Sequence, residues 1–336
     1  VKSTRLSILA ATALLATTLA ACGTTESSDD GSSTSGSGAG GGGGEKITVT
    51  DARGKKVTLD GPAERVGATE WNAAEYLVSL GVQPVGVSDV KGFTTWDSAV
   101  TLDADVTDLG TRGEPSIDQL ASLDLDVLFV TDSLTGDAVE QIEKTIPVVV
   151  LPGGKAGEQI TQMFDNIDTV AKVTGTEDEA ATLRTEFDAA LDETKKTVAD
   201  SDFAGATVAF SDAYDTGDAV SVRPYTATSQ LGTLLGELGF TNAWDSIDGL
   251  EPDKAYGLAQ TDVEGLTKLP ADTKYWYIAN ESETDPYVDT LKDNAVWTSL
   301  PFVADDGVVR FPDSIWMFGG PKSMEQFLDA VSATVS

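Results

Sequence analysis

The chain has 336 residues and a mass of 35.1 kDa, more than one compact core of ordinary size and suited to two lobes of about 100–150 residues each. Asp and Glu number 55 against 22 Lys and Arg, a formal charge of −33, and that field repels nucleic-acid backbones and anionic lipid headgroups. There is no histidine and one cysteine, Cys22, which excludes His-based acid–base catalysis, Ser-His-Asp and Cys-His triads, His-ligated zinc or haem, intrachain disulfides and thiolate clusters. A carboxylate enzyme, a carboxylate-bound cation site and a non-catalytic binding protein remain.

Lys2 and Arg5 precede a mostly apolar run, Leu6 to Leu19, which is shorter than the roughly 20 residues that span a bilayer and ends in small residues. It reads as a secretory signal over residues 1–21. Leu19-Ala20-Ala21-Cys22-Gly23 resembles a bacterial lipobox, which implies a diacylglyceryl group on Cys22 as the mature N-terminus. Residues 22–45 continue as a Gly/Ser-rich tether with an r.m.s. reach of about 25–30 Å. Lys2 and Arg5 against Glu26, Asp29, Asp30 and Glu45 leave −31 on the part that follows.

From Ile47 the pattern becomes regular. Ile47–Thr50 and Lys56–Leu59 alternate around Asp51-Ala52-Arg53-Gly54, a hairpin. Arg65–Ala68 reads as a strand, Asn72–Leu80 as a helix stopped by Gly81, and Val82–Val87 as a strand. A helix over Ser116–Leu123 leads to a buried strand, Asp126–Val130. Pro147–Leu151 is continuously apolar, as a central parallel strand would be. Helical spacing covers Gly157–Val173 and Asp178–Val198. The alternation resumes with a strand at Thr207–Phe210, a helix within Thr228–Leu238, strands at Lys274–Ile278 and Val308–Phe311, and a closing helix from Ser323. Such alternation implies an α/β fold with largely parallel sheets.

A weak repeat supports two similar lobes. Ile117-Asp118-x-Leu120-x-x-Leu123-x-x-Asp126 matches Val263-Glu264-x-Leu266-x-x-Leu269-x-x-Asp272, and Leu77-x-x-Leu80-Gly81-Val82 matches Leu235-x-x-Leu238-Gly239-Phe240.

Three blocks then carry a family resemblance. Arg65-Val66-Gly67-Ala68-Thr69-Glu70-Trp71 through Leu80-Gly81-Val82-Gln83-Pro84-Val85-Gly86-Val87, Gly110-x-Arg112-Gly113-Glu114-Pro115-Ser116-Ile117-Asp118, and Trp316-Met317-Phe318-Gly319-Gly320-Pro321-Lys322-Ser323 resemble, in order, the blocks of iron-siderophore substrate-binding proteins of ABC importers. The Glu70-Trp71 variant is most similar to the ferric-hydroxamate binders. The resemblance implies the class III periplasmic-binding-protein architecture. Two similar α/β lobes with mostly parallel sheets, residues 46–156 and 175–336, would be joined by a single long interdomain helix at 157–174, with the ligand between them. It also implies a monomer on the extracytoplasmic face of the cell membrane that serves a permease dimer with its ATPase.

A ferric siderophore arrives with its iron already chelated, so the protein needs no metal ligands and no cofactor. It needs flat aromatic faces and a few donors. By resemblance Trp71, Tyr256 and Trp316 match cleft aromatics, Tyr256 standing where a tryptophan is expected. Trp96 and Tyr225 are further candidates. A cleft arginine expected beside Trp96 is replaced by Thr94, which leaves Arg112 and Arg223 as candidate donors. Core packing competes with this role for each aromatic, and a surface ion pair for each arginine. Tris-catecholate complexes are anionic and would meet the chain's negative field, so a hydroxamate complex is expected. Asp118 and Glu264 occupy matching places in the repeat; the resemblance implies that they dock on permease arginines, while a helix first turn favours a carboxylate in any case, with Ser116 and Gln119 as a capping box. Cobalamin, haem or another metal chelate, a surface carboxylate hydrolase and, last, a calcium-dependent surface protein are the competing readings.

Overall fold

The computed structural model describes residues 46–134, 136–217 and 219–336. The signal segment, Cys22 and the tether lie outside the described residues.

The hairpin forms as read. β1 (Ile47–Thr50) and β2 (Lys56–Leu59) pair antiparallel, with Val49 opposite Val57 on the buried face. The first lobe follows: β3 (Val66–Ala68), α1 (Trp71–Ser79), β4 (Gly86–Val87), α2 (Val90–Trp96), β5 (Thr107–Asp108), the small ribbon β6 (Gly110–Thr111) and β7 (Glu114–Pro115), α3 (Ile117–Ser122), β8 (Val127–Thr131), α4 (Gly136–Ile142) and β9 (Val148–Leu151). Its sheet is parallel throughout in the order β5-β4-β3-β8-β9. After α5 (Gln159–Thr174) and α6 (Glu177–Ala199) comes the second lobe. It contains β10 (Thr207–Asp215), β11 (Val220–Pro224), α7 (Gln230–Glu237), β12 (Thr241–Asn242), β13 (Lys274–Tyr277), α8 (Ala295–Thr298), α9 (Pro301–Ala304), β14 (Val308–Arg310) and α10 (Pro321–Val335).

The two sheets share a frame. β4-β3-β8-β9 and β12-β10-β13-β14 are both parallel and have the same order of crossovers. The repeat around Leu80 and Leu238 has a local cause. Gly81 and Gly239 take φ of 77° and 93°. In each case the glycine N–H bonds back two residues beyond the cap (Gly81 to Val78, Gly239 to Gly236) and the next N–H reaches the carbonyl one residue earlier still (Val82 to Leu77, Phe240 to Leu235). These are paired Schellman caps, which need a glycine and favour an apolar residue after it. Val82 therefore belongs to a helix cap, and the strand expected over Val82–Val87 shrinks to Gly86–Val87.

Two further expectations change. Pro147–Leu151 is read as a central strand, yet β9 is the outer strand of its sheet. It is buried because the β1–β2 hairpin lies over that edge and Ala52 N–H donates to the Val150 carbonyl at 2.8 Å, so the apolar run reflects a covered edge. In the second lobe the acidic helix of the repeat contracts to a 3₁₀ turn, Gly265–Lys268. That lobe also gains an antiparallel strand. β10 pairs β12 through Thr207 and Val208 and pairs β11 through Ser211 to Asp215, so one long strand serves two neighbours.

α5 ends at Gly175, whose φ of 72° turns the chain into α6. Its buried residues Met163, Phe164, Ile167 and Val170 belong to an apolar cluster that also contains Val66 and Phe129 of the first sheet, Val208 and Phe210 of the second, and Phe327 of α10. Each sheet has a separate cluster on its other face. The lobes are therefore joined by one continuous core as well as by one helix.

A polar seam adds to this junction behind the cleft. Glu75 of α1 is fully buried and accepts from Gly320 N–H at 2.6 Å, Ser323 N–H at 2.9 Å and Ser323 Oγ at 2.8 Å, at the N-terminus of α10. A carboxylate is favoured there by the free N–H groups and the helix dipole. Asp97, also buried, adjoins Glu75, and its Oδ2 has no donor among the protein groups. Burial, and then the charge of Glu75, pushes the Asp97 carboxyl up to about 9, and burial raises Glu75 as well. A carboxyl raised this far keeps its proton at neutral pH, which turns Asp97 from a second negative charge into a donor beside Glu75. Nearby, Ser98 N–H and Oγ donate to the Ser314 carbonyl, and Asn280 and Ser314 side chains donate to the Thr95 carbonyl.

Candidate ligand-binding cleft

A cavity of about 300 Å³ opens between the lobes, lined by Glu70, Asn72, Arg112, Thr131, Arg223, Tyr256, Leu258, Trp316 and Phe318. The volume is at the lower end of the range for small-molecule sites.

On the first-lobe side, β3 ends and α1 begins at Trp71. Glu70 occupies the N-cap position without capping the helix, because its Oε2 accepts from Arg112 instead, at 2.9 Å from Nε and 2.5 Å from Nη2. Arg112 sits in the two-residue turn between β6 and β7. Gly113 follows it with φ of 81°, at the turn position where only glycine is comfortable. The guanidinium lies 4.3 Å from the Trp71 ring centre and 5.4 Å from that of Trp316. Trp71 is buried beneath it, donates its indole N–H to the Ser88 carbonyl at 3.2 Å, and meets Trp316 edge-on at 4.7 Å.

On the second-lobe side, Arg223 stands opposite Asp212 in the β10–β11 register. Nε donates to Oδ1 at 2.8 Å and Nη2 donates to Oδ2. Burial works against the Arg223 charge, but Asp212 beside it keeps the guanidinium raised above its ordinary pKa. Strand alternation puts Val222 in the outer cluster and Tyr225 with Arg223 on the inner face. Tyr225 is fully buried under Arg223, with its ring against Phe210 and Phe318 and its hydroxyl 3.3 Å from Asp212 Oδ2. Burial and the Asp212 charge hold that phenol protonated.

The remaining walls are loops with defined supports. Asp253 accepts from the backbone N–H groups of Ala255, Tyr256 and Leu258, which shapes the loop that presents Tyr256 and Leu258. Gly257 has φ of 68°, and a side chain there would strike the Thr228 backbone. Burial, then the charges of Glu70 and Asp132, raise the Tyr256 phenol, so it offers a neutral hydroxyl. In the closing block Ile315 and Met317 are buried in the core while Trp316 and Phe318 line the cavity. Phe318 touches Trp316 at 5.2 Å, Tyr256 at 5.6 Å and Tyr225 at 6.2 Å between ring centres.

The periplasmic binding protein family model matches residues 66–315, which include both strand frames and all of this cleft except the final aromatic pair. The chain belongs to the periplasmic binding protein family. Among its relatives, the Fe(3+)-citrate-binding protein YfmC of Bacillus subtilis is 27% identical over 278 residues, covering 82% of each chain. The Vibrio cholerae siderophore-binding protein FhuD, solved with Fe3+–Desferal, superposes with a TM-score of 0.70 at 23% identity and covers 81% of this chain and 97% of its own. Bacillus subtilis FeuA, a triscatecholate siderophore-binding protein solved with ferri-bacillibactin, gives 0.65 at 19% identity, covering 86% and 97%. These structures establish the class III fold: two α/β lobes with mostly parallel sheets and a long helix between them.

Of the residues singled out in the sequence, Arg112, Arg223, Tyr256 and Trp316 line the cavity, and Trp71 and Tyr225 lie directly behind the two arginines. Trp96, at the end of α2, packs partly buried on the core and does not line it. Thr94 spends its hydroxyl on the Val90 carbonyl. Asp118, in the first turn of α3, and Glu264, at the start of the Gly265–Lys268 turn, are both exposed. Ser116 caps α3 through Gln119 N–H at 3.4 Å. The sequence reading missed Glu70, Asn72, Thr131, Leu258 and Phe318. Phe318 was findable, since alternation pairs it with Trp316. Glu70 lies next to Trp71 in the first of the three family-like blocks. Asp212 became visible only through the strand register.

Proposed function

We propose that this protein is the substrate-binding component of an ABC importer that captures a ferric siderophore of the hydroxamate type between its lobes and delivers it to a permease dimer with its ATPase. The observation that carries the reading is the composition of the cavity: aromatic faces and guanidinium donors from both lobes, built to grip an organic shell. The relatives and structural neighbours above include a ferric-citrate-binding protein and siderophore-binding proteins. The shared core and the Glu75 seam favour a small closure around the cargo.

In this reading Trp316, Phe318 and Tyr256 stack against the chelator, Arg112 and Arg223 donate to its oxygens, and Trp71 and Tyr225 back the arginines. Residues 1–21 act as a signal, Cys22 carries the lipid, and 22–45 tether a monomer to the extracytoplasmic face of the membrane. Asp118 and Glu264 dock on the permease. The protein does no covalent chemistry on its cargo.

Intrinsic tryptophan fluorescence titrated with ferric hydroxamates, ferric citrate, ferric catecholates, cobalamin and haem tests this. Saturable quenching by a ferric hydroxamate is expected. Quenching by none of the ferric chelates would refute the reading, and a preference for cobalamin or haem would replace the cargo.

A further inference from the structure

Both guanidiniums of the cleft are already occupied. Glu70 takes Nε–H and one Nη2–H of Arg112, and Asp212 takes the equivalent pair of Arg223. The two stations are built alike from unrelated backbone. One arginine sits in a turn and is paired with the residue before α1; the other sits on a strand and is paired across the register. Each is packed against an aromatic ring on the side away from the cavity.

We propose that Glu70 and Asp212 are specificity-determining residues, which neutralise the two cleft arginines so that the site selects ferric complexes with no net negative charge and turns away anionic catecholate and polycarboxylate complexes. The proposal rests on the chelate-binding reading above. Its chemistry follows from the donor inventory. An arginine has five N–H groups, and a carboxylate that takes two leaves three for other acceptors. The oxygens of a neutral hydroxamate complex can use those three while both ion pairs stay intact. A strongly anionic complex gains Coulomb energy only by drawing a guanidinium away from its acid. That strands Glu70, or the nearly buried Asp212, without its partner. Among the residues that line the cavity, Arg112 and Arg223 are the basic ones. Asp132 and Asp253 stand near the Tyr256 hydroxyl together with Glu70, and the chain as a whole is strongly acidic.

The test uses the whole folded protein with two probes, ferrioxamine B, a cationic ferric hydroxamate, and ferric enterobactin, a trianionic tris-catecholate. Dissociation constants are measured by tryptophan quenching for the wild type, Glu70→Gln, Asp212→Asn and the double variant. The wild type is expected to favour the hydroxamate by about 100-fold. Each amide, which frees a positive charge at nearly constant shape, should narrow that ratio by about tenfold, mainly through tighter catecholate binding. An unchanged ratio in variants with wild-type melting overturns the proposal, as does a wild-type preference for the catecholate. Should the variants not fold, wild-type salt dependence decides: catecholate affinity rising with added NaCl, as repulsion is screened, supports the proposal, and affinity falling overturns it. Absence of quenching of the wild type by every chelate would instead refute the binding reading itself.

Discussion

In the cleft, Glu70 and Asp212 each face an arginine; at the seam behind it, Glu75 and Asp97 face each other. One segment serves both places: Glu70, the extended N-cap residue, turns its carboxylate to Arg112 in the cleft, and Glu75, inside α1, turns its own to the N-terminus of α10. The cleft arginines keep about a third of their side chains exposed, so water can share in satisfying them, while Glu70 and Asp212 are largely covered. The seam is buried, with no basic group acting on either acid among the described residues. There the dipole and N–H groups of α10 hold one negative charge, and a proton takes the place of a cation. Paired opposite charges suit a surface that must accept a ligand. A proton kept on one of two buried acids suits a junction that must keep Trp316 and Phe318 in position.

Breaking the seam should give the largest effect. Glu75→Ala leaves Gly320 N–H, Ser323 N–H and Ser323 Oγ without their acceptor, and a loss of about 3 kcal/mol or more is expected from the urea midpoint. In the cleft, Trp316→Ala removes the ring that joins Trp71 to Phe318. Ligand affinity should fall by about 10–100-fold in calorimetry.

The seam also predicts a pH dependence. The Asp97 carboxyl titrates higher in the folded state than in the unfolded chain, so between about pH 5 and 9 the native state binds the extra proton. Stability contributed by this group therefore falls as pH rises, by up to about 1.4 kcal/mol per unit for one proton. Asp97→Asn keeps a donor to Glu75 without a titrating proton. Its melting temperature should depend less on pH and exceed that of the wild type at pH 8. A steeper dependence in the variant would contradict the proton kept on Asp97. The smallest effect belongs to the exposed acids. Replacing Asp118 and Glu264 together by Ala should leave stability within about 0.5 kcal/mol and ligand affinity unchanged, while siderophore uptake by cells is lost.

Local rules made much of the fold legible. The Leu-Gly repeats could be seen because a Schellman cap needs a glycine followed by an apolar residue, and the parallel strands because both their faces are buried. β9 was misplaced within its sheet because a covered edge and a centre leave the same apolar run. In the cleft, Trp71, Tyr256 and Trp316 were legible through the family resemblance, and Arg112 and Arg223 as candidate donors in place of the arginine replaced by Thr94. Their carboxylate partners were not. Asp212 pairs with Arg223 through a strand register, and Glu70 with Arg112 across 42 residues, and no local pattern encodes either. The seam was equally hidden, since Glu75 and Ser323 are separated by 248 positions and Glu75 occupies an ordinary helix interior position.

The central claim is that iron enters already wrapped and that the protein touches only the wrapping. The visible charge-transfer band of a ferric hydroxamate, recorded free and on the protein in one titration monitored also by tryptophan fluorescence, tests it most directly. The account predicts saturable quenching with the band unchanged in position and intensity. Loss of the hydroxamate band, or growth of an iron–tyrosinate band as the complex binds, would show protein oxygens taking the metal and would contradict it.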